Sequence, residues 1–177
     1  MKKSILITAL LFTGTISAIA QTKQNPVIKN HGGIYAIPEA TVMPEAELAY
    51  KVVIDLYSGA ASPEQINPAL NNVARMINLH AIGGAQKPME VVLAIHGKAY
   101  NLVMNNQAYR QRFEVDNPNL DLVKELKAAG VKLTVCGQSL MARDVDPAQL
   151  LPEIELAISM LTTVTTYQLQ GYAFLAF

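Results

Sequence analysis

Val131-Lys132-Leu133-Thr134-Val135-Cys136-Gly137-Gln138-Ser139-Leu140 is the stretch whose reading decides the fold. Val131 to Val135, apolar or β-branched at every position but Lys132, forms a short strand, Cys136-Gly137 ends it, and a helical stretch over Ser139 to Ala142 begins just beyond. The chain has 177 residues and Cys136 is its one cysteine. A thiol at a strand end is offered to solvent or ligand, and N–H groups of a following helix favour its thiolate. Two readings of it stand open. Free cysteine is among the most buried residue types, so one reading is a small core hydrophobe. The other is a reagent, and strand parity leans that way: Val131, Leu133 and Val135 share one face, whereas Cys136 shares the other with Lys132 and Thr134.

The same alternation runs outward in both directions. Tyr50 to Leu56 is a β-branched run closed by Tyr57-Ser58-Gly59. Ser62-Pro63-Glu64-Gln65 has the form of a capping box, with Asn67-Pro68 a second helix start close by. Leu70, Val73, Ile77 and Ala81 recur at helical spacing until Gly83-Gly84. Val91 to Ile95 is a continuous apolar run of the kind buried on both faces of a parallel sheet, and it ends at His96-Gly97. Helical pieces are predicted at Tyr100–Met104 and Tyr109–Phe113. Asn119 is placed to cap a helix over Leu120 to Ala129, which Gly130 stops. Beyond Cys136, Asp146-Pro147-Ala148-Gln149 starts a short turn and Pro152 to Ile158 holds a strand. A helix from Met160 ends at Gly171, and Tyr172 to Phe177 forms a buried final strand. Alternating strands and helices predict an α/β domain with a parallel sheet and helices on both faces.

In open parallel sheets, sites gather outside the carboxyl ends of the strands. That rule collects Ser58-Gly59, His96-Gly97 and Cys136-Gly137 along one rim. His96 is thereby a candidate for tuning the thiol, with a backbone-bonded strand-end histidine as the plainer reading. Asp55 interrupts an apolar strand, which is costly unless it is paired; it is a structural acceptor or a site carboxylate. Lys98 and Arg143 lie near the site loops as solvated charges. His80 lies beside a helical stripe, and His31 sits in a polar lead segment. Three scattered histidines and one cysteine have no metal-ligand spacing, so no metal is expected. No GxGxxG after a strand, GxxxxGK[ST] or GxSxG occurs, which excludes the usual dinucleotide, P-loop and serine-esterase sites; no cofactor is expected.

The N-terminus has the pattern of an export signal. Met1-Lys2-Lys3 is basic, Ile5 to Phe12 is apolar, and Ala18-Ile19-Ala20 is a cleavage site. Residues 1–20 are expected to be removed after Ala20, leaving a periplasmic or secreted chain with an irregular arm over 21–46 and one domain over 47–177. Loss of Lys2 and Lys3 from 14 basic and 14 acidic residues leaves a formal charge of −2. A nucleic-acid surface or an anionic-membrane binder would carry a basic excess, so neither partner is expected.

The segment VKLTVCGQSLMARDV (131–145) resembles the DsrE family of sulfur-relay proteins. So do Val52–Gly59, VVLAIHG (91–97), NPNLDLVKELKAAGV (117–131) and LQGYAFLAF (169–177), which together are most similar to an exported, stand-alone branch. Asp144 stands where a glycine is common in that family. The resemblance implies a three-layer α/β sandwich, doubly wound, with a mainly parallel sheet of about five strands. It implies a homo-oligomer, a trimer or a hexamer. It also implies that Cys136 accepts a sulfane sulfur as a persulfide and passes it on, as a sulfurtransferase or carrier serving a donor or acceptor protein or a small thiol. His96, Gly97, Gln138, Ser139 and Arg143 are the supporting candidates. A non-catalytic oligomeric module that binds a small ligand or senses redox state is the alternative.

Overall fold

The computed structural model describes residues 22–177; the expected signal peptide lies outside them. Five strands form one sheet: β1 (Lys51–Leu56), β2 (Glu90–Ile95), β3 (Lys132–Cys136), β4 (Glu155–Ala157) and β5 (Ala173–Ala176). Their order is β4-β3-β2-β1-β5 and every pairing is parallel. Between the strands lie α1 (Pro68–Ile82), a 3-10 helix (Gly97–Val103), α2 (Asn106–Phe113), α3 (Leu120–Ala128), α4 (Gly137–Met141) and α5 (Met160–Leu169). This is the α/β class expected of the alternating pattern.

Side-chain alternation sorts the sheet into two faces. Val52, Ile54, Leu56, Val91, Leu93, Ile95, Leu133 and Val135 join residues of α1, α2, α3 and α4 in the main core. Val53, Val92 and Ala94 face the other way and pack with Val164 of α5, Met160 and Tyr167. The chain steps from β1 to β4 with helices on the first face, then returns through α5 on the second to add β5 outside β1. All strands being parallel, the carboxyl ends of β1 to β4 open onto one rim.

Buried asparagines tie that rim together. The Asn67 N–H donates to Asn119 Oδ1 at 2.8 Å and Asn67 Nδ2 donates to the Ser58 carbonyl at 2.8 Å. Asn117 Nδ2 donates to the Leu102 and Met104 carbonyls, and Asn117 Oδ1 accepts from the Asn119 N–H. Asn119 therefore stands at the start of α3 as expected, but its side chain serves Asn67 and Asn117 and makes no capping bond. The capping-box reading at Ser62 is corrected too. Residues 62–65 form a turn, with the Gln65 N–H on the Ser62 carbonyl, and α1 begins at Pro68 with Asn67 Oδ1 accepting from the Leu70 N–H at 2.9 Å. Proline at the first helical position and a buried Asn cap together outcompete the half-buried Ser62.

The final strand differs from expectation as well. It pairs with β1, but all four residues of β5 are exposed, and it is the edge strand, with no further strand beyond it among the described residues. The arm over 22–46 is irregular and docks on the domain through Ile28 and Ile34, both at most 2% exposed. Asn78 of α1 holds it: Asn78 Oδ1 accepts the Val27 and Ile28 N–H groups, and Asn78 Nδ2 donates to the Ile28, His31 and Gly32 carbonyls.

Candidate functional site around Cys136

Cys136 is the last residue of β3 and the residue immediately before α4. Parity puts its side chain on the α5 face with Lys132 and Thr134. Thr134 satisfies its hydroxyl on the Leu93 carbonyl at 2.7 Å, and Lys132 pairs with Glu155 at 3.1 Å. The sulfur is not offered to solvent as the sequence suggests. Cys136 is 4% exposed, because the turn from β4 into α5 closes over it. Gly137 allows this approach: a Cβ there would stand 2.9 Å from the Ala157 carbonyl oxygen.

Two serines flank the sulfur, and each has its hydroxyl proton to spare. Ser139 Oγ accepts the Gly97 N–H at 3.3 Å, and Ser159 Oγ accepts the Leu161 N–H at 3.2 Å as the cap of α5. A hydroxyl has one proton and two lone pairs, so an oxygen that already accepts keeps its O–H for another partner. Cys136 Sγ lies 3.9 Å from Ser159 Oγ, with the thiol donating while it is protonated. Once the thiolate forms, the direction reverses and both serines donate. Burial pushes the Cys136 thiol up. The Ser139 hydroxyl, the Met160 and Ser139 N–H groups and the Ser159 hydroxyl outweigh burial and hold it below the ordinary thiol value. Donors fixed before ionisation favour the anion in this way.

The other sequence candidates take distinct places. His96 closes β2 beside the end of β3, but its Nε2 bonds to the Asp55 carboxylate, not to Cys136. Its ring also packs 5.2 Å from that of Tyr57. Asp55 is thus paired within the sheet. Gly97 has φ +57, and a Cβ there would meet the Tyr57 ring at 2.3 Å. Gln138 is exposed and borders an apolar groove of about 320 Å³ with Met141, Leu156 and Ile158. Arg143 donates to the Ser139 carbonyl at 3.0 Å and lies over the Tyr100 ring, which secures α4 without reaching the sulfur. Among the described residues, no three His, Cys, Asp or Glu side chains converge as a metal site would require.

The sequence reading missed Ser159 and the Met160 N–H. Serine directly before the predicted helix was the available signal, since Ser is a preferred N-cap. That the cap would face a cysteine 23 residues away depends on β4 pairing with β3, and the predicted strand over Pro152 to Ile158 does not say which strand it joins.

A family model, the DsrE/DsrF-like family, matches residues 51–177. Two solved structures are similar in fold. One, described as a protein of unknown function, MTH1491 from Methanobacterium thermoautotrophicum, has 17% identity and a TM-score of 0.53, covering 72% of this chain and 98% of its own. The other is the ychN protein from E. coli, with 18% identity and a TM-score of 0.52, covering 72% of this chain and 99% of its own. No curated protein matches the chain.

Proposed function

The chain belongs to the DsrE/DsrF-like family, and on that premise we propose that it is a periplasmic sulfur-binding or sulfur-transfer protein acting through Cys136. The observation that carries the reading is the set of donors around the sulfur: two serine hydroxyls and the Ser139 and Met160 N–H groups, which favour the thiolate despite burial. The thiolate is the nucleophile in sulfur exchange. It attacks the outer sulfur of a persulfide donor, R–S–SH. A new S–S bond forms to Cys136, the donor's S–S bond breaks, and its electron pair leaves with R–S⁻, which takes a proton. An acceptor thiolate then attacks the outer sulfur of the Cys136 persulfide and releases the Cys136 thiolate. Export with cleavage after Ala20, and assembly as a trimer or hexamer, complete the proposal.

The test is the intact mass of the protein after incubation with polysulfide and removal of excess reagent. A gain of about 32 mass units, discharged by a small thiol and absent from Cys136→Ser, is expected from the persulfide step. Wild-type protein that gains no sulfur would end the reading. The 4% exposure of Cys136 favours a second one, in which the domain is a non-catalytic, ligand-binding or redox-sensing module. That reading expects no sulfur adduct. Its redox form expects a peroxide-induced gain of about 16 units on Cys136.

A further inference from the structure

Asp55, His96 and Cys136 lie at or beside the carboxyl ends of three neighbouring parallel strands, on the same sheet face, in the order β1, β2, β3. His96 makes no hydrogen bond with Cys136, so any influence it has on the thiol runs through something else. The structure supplies a path one peptide long. His96 is followed by Gly97, whose N–H donates to Ser139 Oγ, and the Ser139 hydroxyl is a donor to the Cys136 thiolate. The Gly97 bond is 3.3 Å, long for N–H···O, and small shifts of the β2 end would lose it. That end is also where the backbone leaves the strand abruptly, at φ +57. The His96 backbone is held by its N–H on the Leu56 carbonyl and by its carbonyl on the Ala99 N–H. Among the described residues, its side chain is held by Asp55 alone as a hydrogen-bonding partner.

We propose that the Asp55–His96 pair is a positioning element for Cys136: by pinning the end of β2 it keeps the Gly97 N–H on Ser139 Oγ, and so keeps the Ser139 hydroxyl hydrogen directed at the sulfur. A serine oxygen released from Gly97 is free to turn its proton elsewhere. Asp55 thereby acts on the thiol across two strands without touching it. The charged and titratable groups near the thiol are accounted for. Lys132 of β3 is engaged with Glu155 of β4 and with Tyr167 of α5. Arg143 is engaged with the Ser139 carbonyl and Tyr100. Tyr57 packs on His96, Lys98 lies in the following 3-10 helix, and the first turn of α5 has no acidic or basic residue. The proposal deepens the sulfur-transfer reading, but it concerns the thiolate itself and is tested without any sulfur donor.

The test follows the thiolate absorbance of Cys136 near 240 nm against pH, with Cys136→Ser as the blank, in Asp55→Val, Asp55→Asn, Ser139→Ala and the Asp55→Val/Ser139→Ala pair. Asp55→Val is expected to lower the thiolate fraction at pH 7 by roughly three- to tenfold, the worth of one hydrogen bond to the anion. Asp55→Asn keeps an acceptor for His96 Nε2–H and is expected to recover most of that loss. In the Ser139→Ala background Asp55→Val is expected to add nothing, because the path is already cut. A wild-type titration in Asp55→Val, or an undiminished effect in the Ser139→Ala background, overturns the proposal. If Asp55→Val does not fold, His96→Leu removes the same bond from the other side and is judged by the same two criteria. Failure of sulfur loading alone bears only on the function proposed above.

Discussion

Ser159 Oγ stands 3.9 Å from Cys136 Sγ while accepting the Leu161 N–H, so one oxygen serves as the cap of α5 and as a neighbour of the thiol. The two roles separate by substitution. Ser159→Ala loses both, and is expected to cost about 1 kcal/mol of stability for the cap and to slow alkylation of Cys136 by iodoacetamide. Ser159→Asp keeps a capping oxygen but sets a negative charge beside the sulfur. It is expected to melt near the wild type while alkylating more slowly than Ser159→Ala. Parallel melts and alkylation rates check both; equal alkylation rates for wild type and both variants would remove Ser159 from the site.

The same donors make stability depend on pH through Cys136. Its folded thiol ionises below the ordinary value of 9.0, so the unfolded chain holds the proton more tightly. The stabilisation is fully present above the unfolded value and is lost as pH falls through the folded one. Wild type minus Cys136→Ser, measured by chemical denaturation, is therefore expected to grow as pH rises toward about 9 and then level off. A difference that is flat or shrinks with rising pH would mean the thiolate is not favoured in the fold.

The sheet was legible because its signals are local. Val91 to Ile95 is apolar throughout, and all but Glu90 of β2 is buried. The rim rule then brought His96 and Cys136 to one edge from distant positions. What stayed hidden depends on pairing at the sheet margins. Phe174 and Leu175 are exposed on the edge strand β5, a position that no residue in Ala173–Ala176 announces. Burial of Cys136 follows from β4 and the α5 cap, and the partner of Asp55 is a ring 41 residues away. Hydrophobic periodicity reports which face a residue takes, but not which side chain from another strand meets it there.

Asp144 has φ +52, in the left-handed region. A side chain costs about 1 kcal/mol there, less for Asp than for most residues, and glycine pays for its freedom in the unfolded chain. The relief is expected to exceed that entropic loss slightly. Asp144→Gly is therefore expected to stabilise by a few tenths to about 1 kcal/mol, whereas Asp144→Val destabilises. Thermal melts of the two variants check the sign. A stabilising valine would contradict the backbone geometry.

Asn78 is fully buried and makes five hydrogen bonds to the arm. Asn78→Leu leaves two N–H groups and three carbonyls of the arm without those partners, at roughly 2–4 kcal/mol. The loss falls on arm docking, so limited proteolysis is expected to cut within residues 22–46 before the domain is touched. Asn78→Asp retains the acceptor for Val27 and Ile28 but donates nothing, and is expected to release the arm at a lower denaturant concentration than wild type. Cleavage beginning inside α1 or the sheet would show that Asn78 holds the domain itself.

Gly97 carries two separable constraints, and their sum is predictable. Its φ of +57 disfavours any side chain, and a Cβ would meet the Tyr57 ring at 2.3 and 2.4 Å. The backbone part costs about 1 kcal/mol, and the overlap must move either the ring or the β2 end. Gly97→Ala is therefore expected to destabilise by about 3 kcal/mol or more, in the range of overpacked cores. Truncating the ring first removes the second part. In a Tyr57→Ala background the further cost of Gly97→Ala should fall to the backbone part, about 1 kcal/mol. The Tyr57 carbonyl stays at 3.1 Å from the added Cβ in either background, so it does not distinguish them. A double-mutant cycle by urea denaturation measures the coupling. Additive costs would show that the ring yields freely, and that φ alone reserves this position for glycine.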